Sequence, residues 1–123
     1  MDFGFTEEQL MFRDTVYRFA KNNIVPMCKE ADLKSEFSFD IWKKLGEMGL
    51  LGLPIPVEYG GQGADVVTCC LASEALGHAG VDQGHLLSFG AHTYLCADTI
   101  FKHGNESQKR AYVPRLASGE WTG

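Results

Sequence analysis

Residues 54–63 read PIPVEYGGQG, two prolines and three glycines in ten positions, set between segments of helical character. This stretch decides the fold class. A glycine-rich loop that cradles a phosphate follows a strand and opens a helix, and its P-loop form closes on Lys followed by Ser or Thr. Neither the strand nor the Lys-Ser/Thr pair is here. The glycines are therefore expected to let the backbone adopt positive φ or approach a neighbour closely, making the run a long turn between helices.

Upstream of that turn, Thr6 and Gln9 in TEEQ form a capping box, and Phe12, Val16, Phe19 and Ala20 recur at helical spacing as far as about Ile24. Pro26 suits the start of a second helix, running to about Leu33, because proline is tolerated in the first turn. Ser38 is the next cap, with Phe39, Trp42, Leu45 and Met48 as the apolar stripe behind it and Gly49 as the left-handed stop.

Downstream, Asp65 caps a helix expected to bury Val66, Cys69, Cys70 and Leu76 and to end near Gly77 or Gly80. Asp82 caps another, QGHLLSFGAHTYLCADTIFK, residues 83–102, whose only formally charged side chains are Asp98 and Lys102. A helix so poor in charge is buried on several sides, or faces a pocket as well as the core. Asn105 and Gln108 make a second capping box, and Pro114 is expected to bend or end the last helix. The final GEWTG has the composition of a strand start, but no sheet is left to receive it. With no alternating period anywhere, the chain is expected to be all-α, a bundle of about six helices without a sheet, in a single domain over 1–123.

Composition narrows the function. Of 123 residues, 45% are hydrophobic and 22% charged, an ordinary globular balance. The net charge of −5 offers no basic footprint, which excludes nucleic acid and an anionic membrane surface as partners. No apolar run approaches the length of a membrane span, and Met1 leads almost directly into the first cap, so a cytoplasmic protein without a presequence is expected. Cys28, Cys69, Cys70 and Cys96 form no C-x-x-C pair and are expected to be reduced and buried.

No pattern supplies a self-contained active site. His78, His85 and His92 recur every seven residues, but seven helical residues span about 10 Å, too far for one metal ion with bonds near 2 Å. Ser88 and His92 stand at i,i+4 as a hydroxyl and a base would, without a third group to orient the imidazole. Glu74 is a lone carboxylate, and Glu58 a surface or domain-contact charge. Neither a catalytic nor a metal residue is assigned.

LGLPIPVEYGGQGAD (51–65) and HGNESQKRAYVPRLASGEWTG (103–123) together resemble the amino-terminal domain of acyl-CoA dehydrogenases. The likeness covers the whole chain and includes the pattern of Gly104, Gln108, Lys109, Pro114, Leu116, Gly119 and Glu120. It implies an enzyme of three domains, helical, β-barrel and helical, of which this chain matches the first. It further implies α,β-desaturation of an acyl-CoA thioester, with a carboxylate removing the α-proton while FAD accepts the β-hydride. The FAD belongs to the full-length parent, with none expected in this chain alone, and the catalytic glutamate and flavin-contact segment are expected beyond Gly123. Electron-transferring flavoprotein is the implied partner of the parent.

Within that resemblance the apolar helix walls the acyl pocket, through Leu87, Gly90, Ala91 and Tyr94 with Leu86 as neighbour. LSFGAH (87–92) resembles the isovaleryl type, and glutaryl-type members place an arginine near Leu86. An uncharged short, branched or alicyclic acyl group is therefore expected. The isolated chain is expected to be inactive and to self-associate through its exposed domain interface. The alternative is a stand-alone helical module that docks on a partner or binds acyl groups without chemistry.

Overall fold

The computed structural model describes residues 1–123 and is helical without a strand. The elements are α1 (Glu7–Asn23), α2 (Val25–Lys34), α3 (Phe39–Glu47), two single 3₁₀ turns (Leu50–Gly52 and Val57–Tyr59) and α4 (Val66–Ala79). After them come α5 (Gln83–Gly90), a π-helical stretch (Ala91–Ala97), α6 (Asp98–His103) and α7 (Glu106–Ser118). The three elements over 83–103 run on without a break and form one rod, so the bundle has six rods as expected.

Caps set the boundaries where the sequence places them. Thr6 and Gln9 bond reciprocally at the start of α1, and Asn105 and Gln108 do so at the start of α7. Ser38, Asp65 and Asp82 each accept the backbone N–H three residues on, at 3.3, 2.7 and 3.0 Å. Each such cap satisfies a donor that the first turn leaves orphaned, worth about 1 kcal/mol.

Packing gives one main core and a satellite. In the main core α1 lies along α4, with Val16, Ala20, Ile24, Trp42, Leu45, Leu76 and Phe89 interlocked. The satellite gathers Ile55, Tyr59, Ala97, Val113, Leu116 and Ala117 where α7 meets the rod and the 50–63 turns.

PIPVEYGGQG is a folded turn. Gly60 and Gly63 have φ of 88° and 64°, and a Cβ on Gly61 would overlap the carbonyl oxygens of Ile55 and Gly52. The amides of Gly60, Gly61, Gln62, Gly63 and Ala64 donate to the carbonyls of Val57, Pro56, Gly52, Ile55 and Leu53 in turn. The amides of the 60–63 run are thus spent internally and offer no N–H to a phosphate.

Four expectations are corrected. Phe39 is 68% exposed and Ile41 is buried in its place, because the core-facing stripe of α3 is Ile41, Trp42 and Leu45. Val66 is 76% exposed and Cys70 also faces outward, α4 turning Cys69, Leu71, Ala72, Ala75, Leu76 and Ala79 inward. Cys28 and Cys69 are buried, but Cys70 is exposed and Cys96 half-buried, so the cysteines are not uniformly core residues. Pro114 neither ends nor interrupts α7, which continues to Ser118.

Candidate functional site: the 83–103 rod

The rod is anchored at its start by Asp82. One carboxylate oxygen accepts the His85 amide, and the other lies 2.7 Å from His85 Nδ1. His85 Nε2 is 3.1 Å from the Ser38 carbonyl oxygen, and the Phe37 ring stacks on the imidazole at 4.5 Å. His85, 2% exposed, thus ties the rod to the loop before α3.

Midway the rod changes pitch. The Asp98 N–H bonds the Thr93 carbonyl, five residues back instead of four. A ring closed over five residues takes one more residue into the turn, so side chains beyond Ala91 are rotated from their α-helical bearings. In a regular helix Leu87, Gly90, Ala91 and Tyr94 share a face. Here Tyr94 is turned towards α4, and Leu95, 75% exposed, stands outward with Leu87, 69% exposed.

The five residues expected at the acyl wall therefore separate into two groups. Leu87 is exposed, Ala91 half-buried, and a Cβ on Gly90 would meet nothing within 4 Å. These three border open space. Leu86 and Tyr94 pack against the main core. The Tyr94 hydroxyl donates to the Cys69 carbonyl at 3.3 Å and lies 3.3 Å from Ser73 Oγ, while burial pushes its pKa up to about 12. The outward facing of Leu95 has no signal in the sequence, because no local residue marks the π turn.

Tyr94 also lines an apolar groove of about 500 Å³ between α4 and the rod, with Pro54, Val66, Cys69, Cys70 and Ser73. At its end the Lys102 ammonium meets the Asp98 carboxylate at 2.6 Å. The groove thus holds two thiols, two hydroxyls and one ion pair among its apolar walls.

His85 and His92 are each engaged at both ring nitrogens. His92, wholly buried, brings Nε2 to 2.8 Å from the Leu116 carbonyl oxygen, and its Nδ1 accepts the Gly123 N–H at 3.0 Å. With both nitrogens engaged it has no partnership to offer Ser88. Burial holds its pKa below the ordinary imidazole value. His78 lies on the surface against Tyr17, and Glu74 and Glu58 are exposed. No three His, Cys, Asp or Glu side chains converge to hold a metal.

The sequence matches the family model "Acyl-CoA dehydrogenase, N-terminal domain" over residues 6–120. It is 42% identical over 123 residues to the short-chain specific acyl-CoA dehydrogenase of Clostridium acetobutylicum, covering 100% of this chain and 32% of that one. It is 40% identical over 122 residues to the mitochondrial isovaleryl-CoA dehydrogenase of Pongo abelii, covering 98% and 28%. A chain in the structure of the electron transferring flavoprotein of Acidaminococcus fermentans, described in work on flavin-based electron bifurcation, superposes with a TM-score of 0.90 at 37% identity, covering 100% of this chain and 32% of its own length. The chain thus spans about a third or less of these relatives, the portion that the family model describes. A match over so much of the sequence, carried by a helical bundle of the same shape, means that the chain belongs to the acyl-CoA dehydrogenase family as its amino-terminal domain.

Proposed function

We propose that this domain forms one wall of the acyl pocket in an FAD-dependent enzyme that desaturates an acyl-CoA thioester between Cα and Cβ. The observation that carries the reading is the open apolar side of the rod. Leu87 and Leu95 are exposed there around the unfilled space at Gly90. Leu87, Gly90 and Ala91 of the expected set are the direct wall, Leu95 extends it, and Leu86 and Tyr94 support it from behind. No charged side chain belongs to this group, which favours an uncharged short, branched or alicyclic acyl chain over a dicarboxylic one.

Flavin, when bound, supplies the hydride acceptor. The glycine run 60–63 does not fit a flavin diphosphate, since its amides are bonded internally. The domain's own work is to exclude water from the acyl chain and to orient it. Electron-transferring flavoprotein is the reoxidising partner that suits this chemistry, and the match to a chain from such a system supports it. The 123-residue chain alone is expected to be inactive and to self-associate through the uncovered leucines.

The test is acyl selectivity in the flavin-loaded enzyme to which the domain belongs. Gly90→Leu and Ala91→Leu should lower kcat/KM for a branched five-carbon acyl-CoA by about tenfold or more, with less loss for a shorter chain, since a single methylene in an apolar pocket is worth about 1–3 kcal/mol. Unchanged selectivity in both variants would remove the wall assignment. A preference of the unmodified enzyme for a dicarboxylyl-CoA would overturn the uncharged-substrate reading.

A further inference from the structure

Two consecutive buried polar side chains sit in the π stretch. His92 meets the Leu116 carbonyl through Nε2 and the Gly123 amide through Nδ1. The Thr93 hydroxyl donates to the Leu51 carbonyl at 3.2 Å. Both residues are fully buried. Between them they hold main-chain groups of the 3₁₀ turn after α3, of the end of α7, and of the segment that leaves α7. Gly123 is seated so closely that a Cβ there would overlap the Cys96 side chain, one residue before the π stretch ends.

The chemistry of the imidazole is specified on both sides. A carbonyl oxygen only accepts and an amide N–H only donates, so the ring must carry its proton on Nε2 and keep Nδ1 bare. The groups facing the ring are the Trp42 indole from α3, edge-on at 5.0 Å, the Leu116 carbonyl of α7 and the Gly123 amide. None of them is charged. A second proton on Nδ1 would set two donors against each other at Gly123.

We infer that His92 is a positioning residue for the acyl wall: its neutral ring fixes the register of the π turn against residues 116–123 and so sets where Ala91 and Leu95 stand. Ala91, directly before the His92–Thr93 anchor, and Leu95, two residues after it, border the open side of the rod. A slip of this anchor moves the wall without touching substrate. The inference rests on the acyl-wall reading for its functional consequence, but the ring geometry stands independently of it.

Two measurements test it. In ¹⁵N-labelled 123-residue chain, the ring nitrogens of His92 should report the neutral Nε2–H form at pH 7, and the Gly123 amide should exchange more slowly than an unbonded amide. A Nδ1–H form or a freely exchanging Gly123 amide would overturn the anchor. In the flavin-loaded enzyme, His92→Phe should reduce discrimination between branched five-carbon and longer linear acyl-CoAs by about tenfold, since displacements near 1 Å cost up to about a hundredfold. His92→Gln, which keeps the donor to Leu116, should restore part of that discrimination. A fall in Tm with discrimination unchanged in both variants would make His92 merely structural and overturn the inference. Should the unmodified enzyme not act on acyl-CoA at all, the proposed function fails, and the ring and exchange measurements alone decide whether His92 holds the segment.

Discussion

The Tyr94 hydroxyl stands 3.3 Å from Ser73 Oγ, within reach of a residue 21 positions earlier on the facing helix. This contact records the π turn, which swings Tyr94 from the open side of the rod onto α4, where the same hydroxyl also donates to the Cys69 carbonyl.

Tyr94→Phe should therefore act on stability more than on acyl selectivity. Losing the hydroxyl removes one donor bond and leaves Ser73 with its own bond to the Cys69 carbonyl, a cost of about 1 kcal/mol. Urea unfolding measures it. The wild-type phenol has its pKa raised by burial to about 12, from the ordinary 10, so between those values the unfolded chain sheds a proton that the folded one keeps. Stability from this group is full below pH 10 and falls as pH rises towards 12. Tyr94→Phe should remove that part of the alkaline decline. An undiminished decline would place the titrating phenol elsewhere.

Glycines at two positions should respond oppositely to alanine. Gly61→Ala drives a methyl into two carbonyl oxygens that cannot retreat without breaking the 54–63 turn. A loss of about 3 kcal/mol or failure to fold is expected, as for other severe overpacking. Gly90→Ala meets open space inside a helix and should gain up to about 1 kcal/mol from helix propensity. Thermal unfolding of both variants gives the comparison, and a destabilised Gly90→Ala would contradict the open space at that position.

What the sequence made legible were the local, self-announcing features. Thr6, Ser38, Asp65, Asp82 and Asn105 cap helices because each cap is completed within three residues. The loop glycines were equally legible, since no P-loop residue followed them. Facing was harder. Phe39 and Val66 sit at the first position of their helices, where an apolar residue is consistent with either face, and only packing against α1 or α7 decides. The π turn left no residue-level mark, so neither the turn of Tyr94 onto α4 nor the outward facing of Leu95 could be read from spacing. Pro114 failed as a stop because tertiary burial of Val113, Leu116 and Ala117 on either side outweighs the one helical bond that proline forfeits.

The cysteines should separate by reactivity. Cys70 is exposed, whereas Cys69 beside it is buried and its thiol is pushed up to about 11, chiefly by burial. Burial also raises Cys28. Since the thiolate is the attacking species, iodoacetamide at pH 8 should alkylate Cys70 first and leave Cys69 and Cys28 unmodified until the chain is unfolded. Peptide mapping by mass spectrometry distinguishes the adjacent pair. Early modification of Cys69 would mean that α4 is rotated from the described facing.

Acid should find the domain through His92. Its folded pKa lies below the ordinary 6.5, because burial disfavours the cation more than the Leu116 carbonyl favours it. Above pH 6.5 both folded and unfolded chains hold the ring neutral, and the group's contribution is complete. As pH falls below that value the unfolded chain takes up a proton that the folded ring refuses. Stability then declines, with a slope from this one site of at most about 1.4 kcal/mol per pH unit. Urea midpoints taken between about pH 7.5 and 5.5, above the range where carboxylates dominate, should fall for the wild type. They should fall less steeply for His92→Gln, whose amide keeps a donor for Leu116 and has no proton to gain. Equal slopes in the two proteins would show that the His92 ring is protonated in the folded state, and with it the bond to the Gly123 amide would be lost.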